Sequence, residues 1–150
     1  MHTLKNKFKA MTLVELLAVV AILGVTSSIG AGVLKWYQPT LHLYTAAKTV
    51  RAGITTARMR AVAEQKTYGI RFVQDQNQYE LVRIEGTANA QGTYPLPPSI
   101  TFGNIGPFAD GTVTFNKAGA PSETGSIVLQ NANGDTKTVT INPSGYVHTD

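Results

Sequence analysis

The chain has no cysteine. That excludes disulfides, thiolate metal sites and cysteine nucleophiles together. It is also poor in charge. Charged residues make up 15%, against about 25% in ordinary soluble domains. The hydrophobic share, 43%, is unexceptional, but much of it sits in one block near the N-terminus. Set that block aside and roughly 110 of the 150 residues remain, enough for one small domain with one core. Histidine is sparse as well. His2, His42 and His148 have no metal-ligand spacing. No P-loop and no Ser-His-Asp grouping with supporting context is present, so we expect neither an enzyme nor a cofactor. Asp110-Gly111 and Asn133-Gly134-Asp135 read as turns before calcium ligands.

The net charge of +4 invites a nucleic-acid reading, but its distribution argues against one. Lys5, Lys7 and Lys9 precede the apolar block, and without them ten basic residues face nine acidic ones. The remainder is polarised. Residues 35–71 carry Lys35, Lys48, Arg51, Arg58, Arg60, Lys66 and Arg71 against Glu64, whereas residues 72–150 are mainly acidic. Such a split suits subunit packing or lipid headgroups.

What is present begins with the apolar block. From residue 13 to 25 the only polar side chain is Glu15. Residues 16–34 make 19 positions, about 28 Å as a helix, close to a hydrocarbon core of roughly 30 Å. Leu16, Leu17, Val20, Ile22 and Leu23 lead that run, and the upstream lysines place the N-terminus in the cytoplasm. Thr26, Ser27 and Ser28 dilute it, and their hydroxyls can bond back to the helix. Three readings fit: a cleaved secretory signal with a small-residue site near residues 29–32, a plain signal anchor, or a prepilin. Glu15 fits the first poorly and is left unexplained by the second.

Ala10-Met11-Thr12-Leu13-Val14-Glu15-Leu16-Leu17 resembles the class III signal of type IV prepilins and type II secretion pseudopilins. The resemblance implies a cut by prepilin peptidase between Ala10 and Met11, then N-methylation of Met11. Glu15 becomes the fifth mature residue. Ala10 stands where glycine is usual, and Met11 where phenylalanine is. The implied layout is a leader over 1–10, a membrane and assembly helix over 11–35, and a periplasmic or extracellular head over 36–150. The protein would be single-pass in the inner membrane. An unpaired carboxylate within a bilayer costs about 2.5–3.5 kcal/mol, so Glu15 needs a partner. The free amine of a neighbouring subunit's Met11 is one, and the pair would set the register of assembly. Snorkelling at the cytoplasmic interface is the competing role for Glu15.

After the block, Lys35-Trp36-Tyr37 reads as an interfacial belt. Pro39 is expected to kink or interrupt the helix. Leu43, Ala47, Val50, Ile54, Ala57 and Ala61 recur at three- and four-residue steps, predicting an amphipathic helix over about 40–65. Beyond it the period becomes two, and about seven short strands are expected over 67–148. A hairpin turns at residues 75–77, and a second turns at Asn133-Gly134. Residues 86–98 read as a loop. Tyr68, Tyr79 and Tyr94 read as strand and core residues, not as a stacking platform. The fold class is α+β: a long N-terminal helix packed on an antiparallel sheet.

Phe115-Asn116-Lys117-Ala118-Gly119, Gly125-Ser126-Ile127-Val128-Leu129, Val139-Thr140-Ile141 and Gly145-Tyr146-Val147-His148 are similar in order to the GspH/FimT group of minor pseudopilins and minor pilins. The function implied is a minor pilin or pseudopilin. It would assemble with other such subunits into a type II secretion pseudopilus or a type IV pilus. The alternative is a filament-tip binding module, an adhesin or DNA-uptake subunit. Some FimT-like members close on a Gly-Arg-x-Arg segment linked to DNA uptake. Here Tyr146 and His148 stand in the arginine positions, so nucleic acid is not an expected partner.

Overall fold

The computed structural model describes residues 12–150, the side chains of residues 29–36 excepted. The chain divides into two units between Tyr37 and Gln38. A single helix, α1, spans Leu13–Glu64. Pro39 lies inside it and does not interrupt it. A proline removes one main-chain hydrogen bond, and the helix on both sides retains the rest.

The end of α1 is set by local chemistry. Gln65 takes a left-handed conformation (φ 53°). The Lys66 amide then donates back to the Ala61 carbonyl at 3.3 Å, the bond of a Schellman cap. Glycine usually fills that position. The Gln65 side chain instead adds a bond, Nε2 donating to the Val62 carbonyl at 2.8 Å. Glu64 sits at the negative end of the helix dipole. The Tyr68 hydroxyl donates to its carboxylate, which holds the Tyr68 phenol above its ordinary pKa.

Eight strands follow: β1 Thr67–Val73, β2 Gln78–Glu85, β3 Thr87–Pro95, β4 Ile100–Ile105, β5 Thr112–Phe115, β6 Gly125–Asn131, β7 Thr136–Ile141 and β8 Val147–Thr149. They form two four-stranded sheets, ordered β3-β2-β1-β5 and β4-β6-β7-β8. All strand pairings within the two sheets are antiparallel, from Thr67 opposite Ile84 in the first hairpin to Ile141 opposite Val147 in the last. Asn77 closes the β1–β2 turn with φ 49°, and its Nδ2 donates to the Ile100 carbonyl at 2.6 Å, tying the turn to β4. Asn131, buried in the β6–β7 hairpin, accepts at Oδ1 from the amides of Asn133 and Asp135. Gly134 there has φ 88°.

One expectation is corrected. Residues 86–98 are not a loop, because Thr87–Pro95 is a strand, β3. Its residues are almost all exposed, so no alternation of apolar side chains marks it. The ladder to β2 holds it instead, with a register shift between Leu81 and Val82. Pro95 ends it, at a sheet edge where a missing N–H is tolerated.

The helical stripe read from the sequence is the one that is buried. Leu43, Ala47, Val50, Ile54, Ala57 and Ala61 are at most 2% exposed and share one cluster with Tyr68, Ile70, Phe115, Ile127, Leu129 and Ile141. Each large aliphatic side chain buried this way contributes about 1.5–3 kcal/mol. Small residues on the stripe let the helix lie close to the strands. At Gly53 an added Cβ would stand 2.7 Å from the Tyr79 ring. Tyr79 fills that space, donates its hydroxyl to the Thr49 carbonyl at 3.2 Å and stacks on Tyr94 at 5.2 Å. Tyr94 is half exposed, so it covers the core without lying inside it.

Burial, with a smaller push from Tyr94, raises the Tyr79 phenol to about 12. A phenol whose folded pKa lies above its unfolded value of about 10 stabilises the fold below pH 10. That contribution, about 2–3 kcal/mol at most, is lost as pH rises from 10 through 12. Tyr79→Phe should therefore flatten the alkaline fall of stability across that window, measured by urea titration at stepped pH. An unchanged slope would mean that Tyr79 is not the titrating group.

Candidate assembly site

The first turn of α1 is built by Thr12-Leu13-Val14-Glu15. Thr12 precedes the helix, and its Oγ1 accepts from the Glu15 amide at 3.3 Å. The Thr12 carbonyl accepts from the Leu16 amide at 3.2 Å. Threonine followed three residues later by glutamate is the capping-box pattern. Glu15 also places a carboxylate in the first turn, at the positive end of the helix dipole. The sequence reading gave Glu15 an assembly role and missed its place in the cap, although Thr-x-x-Glu before an apolar run is a legible signal. Thr12→Ala should cost about 1 kcal/mol locally. The check is amide exchange at residues 13–15 of the detergent-held chain: about fivefold faster in Thr12→Ala, and near the parent rate in Thr12→Ser.

Around that carboxylate the side chains are apolar and exposed. Leu13 and Val14 are 78% and 75% exposed, and Leu16, Leu17, Val20, Ile22 and Leu23 are all more than half exposed. Thr26 Oγ1 donates to the Ile22 carbonyl at 2.9 Å, and Ser28 Oγ to the Val25 carbonyl at 2.7 Å. Thr26 and Ser28 are thus satisfied within the helix, as expected. Among the described residues no helix is long and apolar enough to cross a membrane. Within the 19-residue run the side chains are described up to Ser28, and those of residues 29–34 lie outside the described residues. Ala10 and Met11 lie outside the described residues, as do the side chains of Lys35 and Trp36.

In the head, the basic segment over residues 35–71 is only partly free. Lys66 pairs with Glu85 at 2.9 Å, lowering the Glu85 pKa, and Arg71 pairs with Glu80. Arg58 is used otherwise. Its Nε donates to the Gly119 carbonyl and an Nη to the Ser144 carbonyl, both at 3.1 Å. One guanidinium fork thereby fastens the turn after β5 and the turn before β8 to α1. Sequence spacing gave no sign of this, because the three partners are dozens of residues apart. Lys48, Arg51 and Arg60 remain exposed, with no ion pair among the described residues.

No group of three potential metal ligands occurs among the described residues. His42 Nδ1 lies 2.9 Å from Ser99 Oγ, and His148 Nε2 lies 3.3 Å from an Asp150 carboxylate oxygen. Between Thr49, Gly53, Tyr79 and Tyr94 is an apolar cleft of 210 Å³, below the about 300–1,000 Å³ of small-molecule sites.

The comparisons agree with that geometry. The model of the family described as type II transport protein GspH matches residues 46–145. The prokaryotic N-terminal methylation motif matches residues 5–31. No curated protein gives a match. Among solved structures, the minor pseudopilin EpsH of the type 2 secretion system of Vibrio cholerae is similar, with a TM-score of 0.62 and 10% identity. The similarity covers 73% of this chain and 96% of that one. The type IV minor pilin FimU of Pseudomonas aeruginosa is similar with a TM-score of 0.62 and 17% identity, over 77% of this chain and 92% of that one. At such identities the likeness establishes the pilin fold, and the family rests on the sequence model. With a helix packed on two antiparallel sheets, a methylation motif at its N-terminus and the family model over most of its head, the chain belongs to the type II transport protein GspH family and is a pilin-like subunit.

Proposed function

We propose that the chain is a minor pilin or pseudopilin made as a prepilin. Prepilin peptidase cuts it between Ala10 and Met11 and methylates Met11. Residues 11–35 then hold it in the inner membrane, with the head, residues 36–150, on the periplasmic side. From there it enters a type II secretion pseudopilus or a type IV pilus through that helix. Its mechanism is packing, without catalysis. Glu15 pairs with the amine of a neighbour's Met11, and Leu16, Leu17, Val20, Ile22 and Leu23 pack against other helices or lipid.

The observation that carries the reading is the combination in the first turn: a capped helix start, one carboxylate, and exposed apolar side chains on all sides of it. A helix apolar all round is stable only when covered. A carboxylate is retained in such a place when a partner neutralises it. The test is assembly itself. Tagged full-length chain, expressed in a cell that builds one of these machines, should appear in the sheared filament fraction or copurify with the machine's other pilin-like subunits. Recovery only as a soluble secreted head would contradict the reading.

A further inference from the structure

The second sheet has two faces of different chemistry. In β6, β7 and β8 the side chains of Ile127, Leu129, Val139, Ile141 and Val147 are buried in the core. The residues alternating with them face outward. Ser126 stands opposite Thr140, and Thr140 opposite His148, so the three form a row across three strands. Thr138 lies one step along β7 on the same face. Ser126, Thr138 and Thr140, with Asn104, Thr124 and Asn142 from the surrounding segments, line an open cleft of about 540 Å³. That is within the about 300–1,000 Å³ of ligand sites. These six side chains are hydroxyls and amides, and among the described residues no Lys, Arg, Asp or Glu lines the cleft. Nor does any of the six make a side-chain hydrogen bond among the described residues, whereas Thr49, Ser122, Asn116 and Asn131 elsewhere in the head are committed to such bonds. At the end of the row the rings of Tyr146 and His148 lie parallel, with planes 11° apart and centroids 6.4 Å apart. Tyr146 is 54% exposed.

We propose that this face binds a neutral oligosaccharide, one sugar ring resting on Tyr146 and His148 and the hydroxyls of the chain reaching the Ser, Thr and Asn side chains. The face of a sugar ring presents C–H bonds of slight positive charge, which suit the negative face of an aromatic ring. Its rim of hydroxyls both donates and accepts hydrogen bonds, as do Ser, Thr and Asn. Uncommitted donors and acceptors of this kind lose nothing inside the protein when they bind a ligand. A lining without cations does not suit a ligand that carries phosphates, such as nucleic acid. The lining is polar where a docking helix would need an apolar seam. An open cleft also admits a chain of sugars that runs on past both ends. The site lies wholly within the head and is independent of assembly.

The test titrates chitotetraose, cellotetraose and maltotetraose in turn into isotope-labelled full chain held in detergent, and reads the shifts of its amide signals. At least one sugar should bind with a Kd of about 1 mM or tighter, moving the signals of Ser126, Thr138, Thr140 and Tyr146. Tyr146→Ala should weaken binding about tenfold, and Tyr146→Phe, which keeps the ring, should bind as the parent does. Thr140→Val, which keeps the shape and loses the hydroxyl, should weaken it about fivefold. A thermal midpoint within about 2 °C of the parent checks that each variant is folded. No shift with any of the three sugars at about 20 mM, shifts that map elsewhere on the head, or parent-like binding by both Tyr146→Ala and Thr140→Val overturns the inference. Salt-dependent shifts of the same signals by an oligothymidylate probe, with no sugar producing them, overturn it in favour of nucleic acid.

Discussion

Glu15→Ala will leave the chain inserted and processed, but will lower its recovery in assembled filaments by about a hundredfold. Removing one member of a buried ion pair costs about 3–5 kcal/mol, and each 1.4 kcal/mol is tenfold. The site lies at the start of the helix, where some solvation is retained, so the smaller end of that range applies. In the proposed assembly the deletion strands a neighbour's Met11 amine among apolar side chains. Insertion improves slightly, because an unpaired carboxylate opposes it. The cap is not the cause of the loss. Thr12 Oγ1 accepts from the backbone amide of Glu15, which alanine retains. Glu15→Gln should therefore fail as alanine does, since it keeps shape and cap but loses the charge. The measurement is the ratio of chain in sheared filaments to chain in the membrane fraction. A Glu15→Gln variant that assembles normally would remove the ion pair from the account and leave Glu15 as a helix-start residue.

Gly145→Ala will destabilise the head by about 2–4 kcal/mol. Gly145 turns the chain between β7 and β8 with φ 73°, and its amide donates to the Asn142 carbonyl at 2.8 Å. A non-glycine residue in that conformation costs of order 1–3 kcal/mol. Space is also lacking. A Cβ there would stand 2.6 Å from the Gly119 carbonyl oxygen and 2.9 Å from Arg58 Nε. Neither is the loose end of a flexible chain. The carbonyl belongs to a turn, and the guanidinium is bound to both turns. Relief of the clash would break the Arg58 fork that joins them to α1. Thermal unfolding of the full chain in detergent should fall by about 10 °C. Arg58→Met should fall by less, because it leaves two turn carbonyls for water and keeps the methylene stem packed. A Gly145→Ala midpoint within 2 °C of the parent, on the order of measurement error, would show that the turn adapts freely.

Much of this fold was legible because its signals are local and periodic. The stripe from Leu43 to Ala61 has the helical period, and it is the buried face. The hairpins at 75–77 and at Asn133-Gly134 lie where alternating runs meet turn residues. What escaped had another origin. The strand Thr87–Pro95 is an exposed edge, so its residues record no burial and only its hydrogen bonds to β2 define it. The division of the strands into two sheets is a matter of long-range pairing, which no window of sequence contains. Pro39 warned of a break that the surrounding helix absorbs. Arg58 looked like one more solvated charge, and its role as a clamp depends on two distant turns coming together. At the N-terminus the reverse holds. Thr12 and Glu15 are three residues apart and spell out a cap, so this hydrogen bond is legible in the sequence alone.

The account turns on the mature N-terminus, and intact-mass and N-terminal peptide analysis of membrane-extracted chain tests it most directly. It predicts a first residue Met11 carrying one methyl group, with Thr12 and Glu15 following. A chain beginning near Gly32, or one retaining Lys5, Lys7 and Lys9, would contradict it.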